Sequence, residues 1–237
     1  MNKVVKDARA AVAAVQDGAT ILIGGFGLCG VAEDLVGALL EKGVKDLTLV
    51  SNNAGTDTHG IGLLIRAGRV KKMIMSYGGE CKAFEESVLA GTLQVEWNPQ
   101  GTLAERLRAA GAGIGGFYTP TGVGTPVAQG KETRVFDGRT YLFERPLKGD
   151  FAFVKAFRAD ALGNLEFRKT ARNFNAVMAT AAETTLVEAE HILAVGDLNP
   201  DQIHTPGIFV HSVFQGTSYE KPIEKRTVRP RQTAGSR

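Results

Sequence analysis

Apolar residues along this chain fall into short runs, separated by stretches in which they recur every three or four positions. The run Ala19 to Ile23 follows an Asp17-Gly18 turn and reads as a buried strand feeding a glycine-rich loop. From Glu33 the period changes: Leu35, Val36, Leu39 and Leu40 share one helical face, and Glu33 and Asp34 sit in the first turn, where carboxylates favour the helix dipole. Val5, Ala8, Val12 and Val15 mark an earlier amphipathic helix. The strand candidates of the first half are Ile21 to Gly25, Leu47 to Ser51, Lys72 to Ser76 and Gln94 to Trp97, with helical segments between them. That alternation predicts a parallel sheet covered on both faces.

The second half carries a different pattern. "TRVFDGRTYLFE" predicts a hairpin around Asp137-Gly138, followed by a strand from Asp150 to Phe157 and a hairpin-like "DALGNLEF". Thr170 to Ala182 reads as partly helical, and the apolar runs His191 to Val195 and Ile208 to Phe214 are candidates to rejoin the sheet. No internal repeat or long linker interrupts the chain. The expected class is therefore α/β, an open, mostly parallel sheet with helices on both faces and a β-rich lobe in the second half. Residues 1–220 are expected to form one domain. Residues 221–237 form a basic tail with two prolines that is expected to be partly disordered.

Composition narrows the function classes. With 43% hydrophobic residues, the 237-residue chain has ample material for a full core. Its net charge of +3 comes from 28 basic and 25 acidic residues spread along the chain, which does not indicate nucleic acid. No apolar run approaches the roughly 18 residues of a membrane span, and no signal-like start is evident, so cytoplasmic residence is expected. Cys29 and Cys81 lack CxxC spacing and are expected to be reduced thiols.

Gly25, Gly27 and Gly30 stand in GxGxxG spacing between the first strand and its helix. A dinucleotide site would also need an Asp or Glu about 20 residues on, at the end of the second strand. Asn52 and Asn53 stand there instead. The loop either presents backbone N–H groups to another anionic ligand or is a tight turn whose glycines permit close packing. Cys29 within it reads as a thiolate at a helix start or as a small packing residue. "GTPVAQGKE" from Gly124 has the wrong spacing for a P-loop, no GxSxG elbow is present, and the four histidines show no metal-ligand spacing, so no metal is expected. Asn98, Pro99, Gln100 and Gly101 close a strand and open a helix. The loops Gly24 to Gly30, Ser51 to Gly55 and Asn98 to Gly101 should converge at the carboxyl edge of the sheet, offering neutral donors and acceptors but no obvious nucleophile. Arg106, Arg108, Arg168, Lys169 and Arg172 are cations available to an anionic substrate, although a charge run is usually a solvated face.

The motifs "DGATILIGGFGLCG", "SNNAG", "PQGTLAERLRAAGAGIGGFYTPTGVGT", "GDFAFVKAFRAD", "GNLEFRKTARNFN" and "AAETTLVEAE" resemble the alpha (A) subunit of the family I, 3-oxoacid type CoA transferases. The resemblance covers most of residues 5 to 226 and is nearest to subunits that use succinyl-CoA, with 3-oxoadipate transferase subunits a close relative. It implies ping-pong transfer of CoA from succinyl-CoA to a 3-oxo acid such as acetoacetate, with CoA carried as a glutamyl thioester. It places that glutamate on a partner B subunit, in a cytoplasmic A2B2 heterotetramer, with coenzyme A as substrate and no other cofactor. Glu33, Glu80 and Glu105 of this chain are read as solvated or ion-paired. Gly24, Gly25, Phe26, Gly27, Leu28, Cys29 and Gly30 match the segment that the family assigns to CoA. Gln100 matches a substrate-site glutamine that steadies the oxyanion, with helix capping as its other reading, and Asn52 and Asn53 match a pair lining the same cleft. One departure is Ala32, where the family usually has Pro. Three rival readings remain: a 3-oxoadipate CoA transferase A subunit, which differs only in the length of its acid pocket; a non-catalytic subunit that only binds CoA; and a sugar-phosphate isomerase, which would require acid–base residues that these loops lack.

Overall fold

The computed structural model describes residues 2–217 and 219. The expected basic tail, 221–237, lies outside the described residues. In chain order the elements are α1 (Ala8–Ala11), β1 (Thr20–Ile23), α2 (Glu33–Lys42), β2 (Leu47–Val50), α3 (Gly62–Arg66), β3 (Val70–Met75), α4 (Lys82–Leu89), β4 (Gln94–Trp97) and α5 (Gln100–Gly111). They continue with β5 (Phe117–Thr119), β6 (Thr133–Phe136), β7 (Arg139–Glu144), β8 (Gly149–Asp160), β9 (Leu165–Glu166), α6 (Asn175–Met178), β10 (Ala182–Leu193) and β11 (Ser212–Gln215).

Seven strands lie parallel in the order β11-β10-β8-β1-β2-β3-β4, and β9 adds to β8 antiparallel. Alternation along each strand sorts the core into two layers. Ile21, Ile23, Leu47, Leu49, Met73 and Met75 pack with Leu35, Leu39, Leu64 and Phe84 of α2, α3 and α4. Their neighbours Leu22, Val50 and Ile74 face the opposite way, toward Leu103 and Leu107 of α5 and Met178 of α6. Both faces are thus covered, as a parallel sheet requires.

The lobe of the second half is a separate antiparallel sheet, β5-β7-β6. Asp137 and Gly138 turn its hairpin with φ of 47° and 75°, the two positive angles of the turn that matches strand twist. Tyr118 packs there against Phe136 and Phe143.

Three segments differ from the pattern-based expectation. The first helix is only Ala8–Ala11 followed by a short 3-10 turn, Val12–Ala14. Val5 instead donates its N–H to the Val213 carbonyl at 2.8 Å, because that edge of β11 would otherwise lack a partner. The strand expected at His191 to Val195 begins nine residues earlier, at Ala182, and its pairing with β8 runs from Ala182↔Gly149 to Leu193↔Asp160. Ile208 belongs to a 3-10 turn, and β11 starts only at Ser212.

From β1 the chain proceeds outward through β2, β3 and β4, and then returns across α5 and the lobe to place β8 on the other flank of β1. This reversal makes the carboxyl end of β1 a topological switch point, where open α/β sheets hold their ligands. The glycine loop starts there.

Candidate functional site

Gly24 continues β1 by donating to the Phe153 carbonyl at 3.0 Å. The loop then closes on itself: Phe26 N–H donates to the Cys29 carbonyl and Cys29 N–H to the Phe26 carbonyl, each at 3.0 Å. Gly25, Gly27 and Gly30 hold φ of 130°, 57° and 81°, angles that favour glycine. Phe26 stands at the tip with half its surface exposed, while Leu28 tucks inward. Cys29 is a free thiol whose Sγ lies 3.3 Å from Thr170 Oγ1.

A pair of asparagines that the sequence reading left without a role clamps this loop. Asn173 Oδ1 accepts from Gly25 N–H at 3.1 Å, and its Nδ2 donates to the Cys29 carbonyl at 2.9 Å. Asn175, fully buried, donates to the carbonyls of Gly30 and Ala171 and accepts from Lys155 N–H at 2.8 Å. Their only sequence signal is two amides flanking Phe174 in "RNFN", some 145 residues from their partners.

The donors expected to stand bare at the start of α2 are already engaged. Glu188 of β10 accepts from Asp34 N–H at 2.9 Å and Leu35 N–H at 3.4 Å. The start of α2 is thus capped from within by Glu188, and the loop ahead of it is closed by the paired Phe26 and Cys29 backbone bonds. Ala32 directly precedes the first residue of α2, and its φ of −82° lies near the range proline imposes, so the missing ring removes rigidity without changing the path.

Burial pushes the Glu188 carboxyl up to about 8; neighbouring Asp34 adds to this, while Lys155 and the two backbone donors oppose it. Below the unfolded value near 4.5 both states bind the proton; between there and about 8 only the folded state retains it, so stability falls as pH rises through that window. Glu188→Gln, which keeps a carbonyl acceptor for α2, is expected to flatten this decline. Urea midpoints measured between pH 5 and 8 check it, and an undiminished slope would exclude Glu188 as its source.

The amides converge as their positions implied. Asn52 and Asn53, both buried, follow β2, and Gln100 opens α5 with its side chain exposed. Gln100 Nε2 donates to Asn52 Oδ1 at 3.3 Å, and Asn53 Nδ2 donates to the Gly27 carbonyl at 3.4 Å, tying both neighbouring loops into one cluster. Ser51 Oγ spans from β2 to the Ile23 carbonyl of β1 at 2.9 Å.

Arg106 fixes the direction of α5. It donates to Glu96 Oε1 at 2.9 Å, Asn98 Oδ1 at 2.5 Å and the Arg145 carbonyl at 2.9 Å. Lys72 reaches the other Glu96 oxygen at 2.6 Å. Burial by itself would raise the Glu96 pKa, but Lys72 and Arg106 outweigh it and hold the carboxyl at about 2. Arg106 is thereby committed to structure, as are Arg108, paired with Glu105 at 2.6 Å, and Arg168, paired with Glu190 at 3.2 Å.

Neutral amides and backbone groups thus meet at this carboxyl edge of the sheet, with the Ser51 hydroxyl buried beneath them. Of the nearby glutamates, Glu105 is ion-paired with Arg108 as expected, whereas Glu33 is neither solvated nor ion-paired among the described residues. Its Oε2 receives the Gly60 N–H at 2.9 Å, its Oε1 is buried without a partner among the described residues, and burial raises its pKa. Such a surface can orient a carbonyl and stabilise charge developing on its oxygen, but supplies no activated nucleophile.

The comparisons agree with that incompleteness. The family model described as Coenzyme A transferase matches residues 5–216. The chain is 58% identical to the A subunit of the probable succinyl-CoA:3-ketoacid coenzyme A transferase of Bacillus subtilis (strain 168), covering 96% of each chain. It is 53% identical to the A subunit of the succinyl-CoA:3-ketoacid coenzyme A transferase of Helicobacter pylori (strain J99), over 97% of this chain and 99% of that one. Among solved structures, an acyl-CoA transferase of E. coli O157:H7 in a thioester complex with CoA superposes with a TM-score of 0.83 at 24% identity. That match takes in 93% of this chain and 48% of the other, so this chain spans about half the length of that protein. Glutaconate coenzyme A-transferase from Acidaminococcus fermentans gives a TM-score of 0.78 at 22% identity, over 89% of this chain and 74% of that one. A decarboxylase, AibA/AibB, shares the fold equally well at 0.78 and 23%, so architecture alone does not name a reaction. The family model and the A-type relatives decide it: this chain belongs to the coenzyme A transferase family.

Proposed function

We propose that this chain is the A subunit of a CoA transferase that moves CoA from succinyl-CoA to a 3-oxo acid such as acetoacetate. The observation that carries this reading is the 58% identity, across 96% of both chains, to the A subunit of a probable succinyl-CoA:3-ketoacid transferase. A crevice of amides with no nucleophile of its own fits half of an active site.

In this reading a glutamate supplied by the B partner attacks the thioester carbonyl. CoA ends as a glutamyl thioester, succinate departs, and the acceptor carboxylate reverses the sequence. Gln100 serves the oxyanion of each attack. One of its two N–H bonds is spent on Asn52 at 3.3 Å, which sets the plane of the amide; the other is left for the substrate oxygen. Asn52 and Asn53 line the acid pocket, and the Gly24–Gly30 loop carries the CoA end. Coenzyme A is substrate, no further cofactor is required, and the assembly is a cytoplasmic A2B2 heterotetramer. No helix among the described residues is long and apolar enough to cross a membrane.

The test is CoA transfer from succinyl-CoA to acetoacetate by this chain alone and co-expressed with a B-type chain. Activity confined to the pair supports the half-site reading; turnover by the isolated chain would refute it. The native mass of the active complex tests the A2B2 stoichiometry.

A further inference from the structure

The cations beside the glycine loop divide into two kinds. Lys155 pairs with Glu190 at 3.0 Å, and Arg168 reaches the same carboxylate at 3.2 Å while lying 4.3 Å from the centre of the Phe157 ring. Lys169 and Arg172 are both exposed, and among the described residues their side chains make no ion pair or hydrogen bond. They begin and end a single 3-10 turn, Lys169–Arg172. Both charges are thus carried by one short, exposed turn. Lys169 also holds φ at 52°, in the left-handed region that a residue with a Cβ enters only at a cost.

This turn is fastened to the glycine loop from below. Thr170 Oγ1 lies 3.3 Å from Cys29 Sγ, Asn173 bridges the Cys29 and Thr170 carbonyls at 2.9 and 2.8 Å, and Asn175 joins the Gly30 carbonyl to that of Ala171 at 2.8 and 2.9 Å. A strained turn bearing two uncompensated positive charges is thus held rigidly at the rim of the switch-point crevice. Packing does not need those charges, and they would be stabilised by a multiply charged anion.

We propose that Lys169 and Arg172 form an anion subsite for the phosphate groups of the CoA substrate, anchoring its nucleotide end while the thioester lies toward Gln100. The proposal rests on the reading of this chain as half of a CoA transferase. An ammonium and a guanidinium carried on one turn suit phosphate oxygens, the guanidinium offering two parallel donors.

Calorimetric titration of the co-expressed complex with CoA and with phosphate-free pantetheine tests it. In the double variant Lys169→Ala/Arg172→Ala, CoA affinity is expected to fall about tenfold or more, and its dependence on salt to weaken, while pantetheine affinity holds. The charge-keeping pair Lys169→Arg/Arg172→Lys should recover most of the loss. Undiminished CoA affinity in the double variant would overturn the subsite, as would equal loss of CoA and pantetheine, which marks a packing role, or a wild-type complex that binds no CoA. If the double variant selectively loses CoA but the wild-type complex transfers none from succinyl-CoA, the subsite stands and the transferase reading falls.

Discussion

Gly24→Ala is expected to destabilise the co-expressed complex by roughly 3 kcal/mol and to abolish most activity with it. A Cβ on Gly24 would lie 2.0 Å from Asn175 Oδ1 and 3.1 Å from the Asn175 backbone. The amide cannot simply swing aside. Asn175 is fully buried, and the oxygen that would be displaced accepts from Lys155 N–H, while its nitrogen holds the Gly30 and Ala171 carbonyls. Moving it leaves several buried backbone groups without partners, and each unsatisfied group costs on the order of 1–3 kcal/mol. Gly37→Ala is the control, because the same methyl within α2 meets nothing within 4 Å and is expected to stabilise the helix by about 0.5–1 kcal/mol. Urea unfolding of both variants decides: if Gly24→Ala keeps the wild-type midpoint, the loop is not clamped as described.

This clamp also marks the limit of what periodicity could reveal. Wherever one residue's neighbours along the chain determine its state, the pattern was readable. Gln94 to Trp97 coincides with β4, and Asp137-Gly138 turns the hairpin where its two positive φ values demand. The amides Asn52, Asn53 and Gln100 could be placed together because each closely follows a strand of one parallel sheet, which brings their loops to one edge. β10 was largely hidden, since Glu183, Glu188 and Glu190 break its apolar run. Two of these are compensated by distant partners: buried Glu188 by the α2 terminus, and half-buried Glu190 by Lys155 and Arg168. Nothing local announces such compensation. For the same reason the glycine spacing alone could not separate a ligand-binding loop from a tightly packed turn. Gly24 and Gly30 are demanded by Asn175 and Ala171, whatever else the loop binds.

Gln100→Ala is expected to lower kcat of the co-expressed complex by about 10²-fold, the usual loss for one oxyanion donor, with assembly intact. Its side chain is exposed and, among the described residues, makes a single hydrogen bond, to Asn52, so truncation leaves no described buried group stranded apart from one amide oxygen. α5 stays in place because Arg106, within its second turn, holds it to Glu96, Asn98 and the Arg145 carbonyl. The loss should therefore fall on turnover rather than on stability or on KM for succinyl-CoA. Gln100→Glu sharpens the distinction: it is nearly isosteric, but it replaces a donor with a negative charge facing the developing oxyanion, and is expected to be worse than alanine. Asn52→Ala removes the partner that sets the amide plane together with a side chain assigned to the acid pocket, and a loss of about tenfold or more is expected. Steady-state kinetics on the three variants, alongside their thermal unfolding, separate the possibilities. A helix-capping role for Gln100 would instead lower stability in both Gln100 variants while sparing kcat, and turnover equal to wild type in Gln100→Ala would remove this residue from the mechanism.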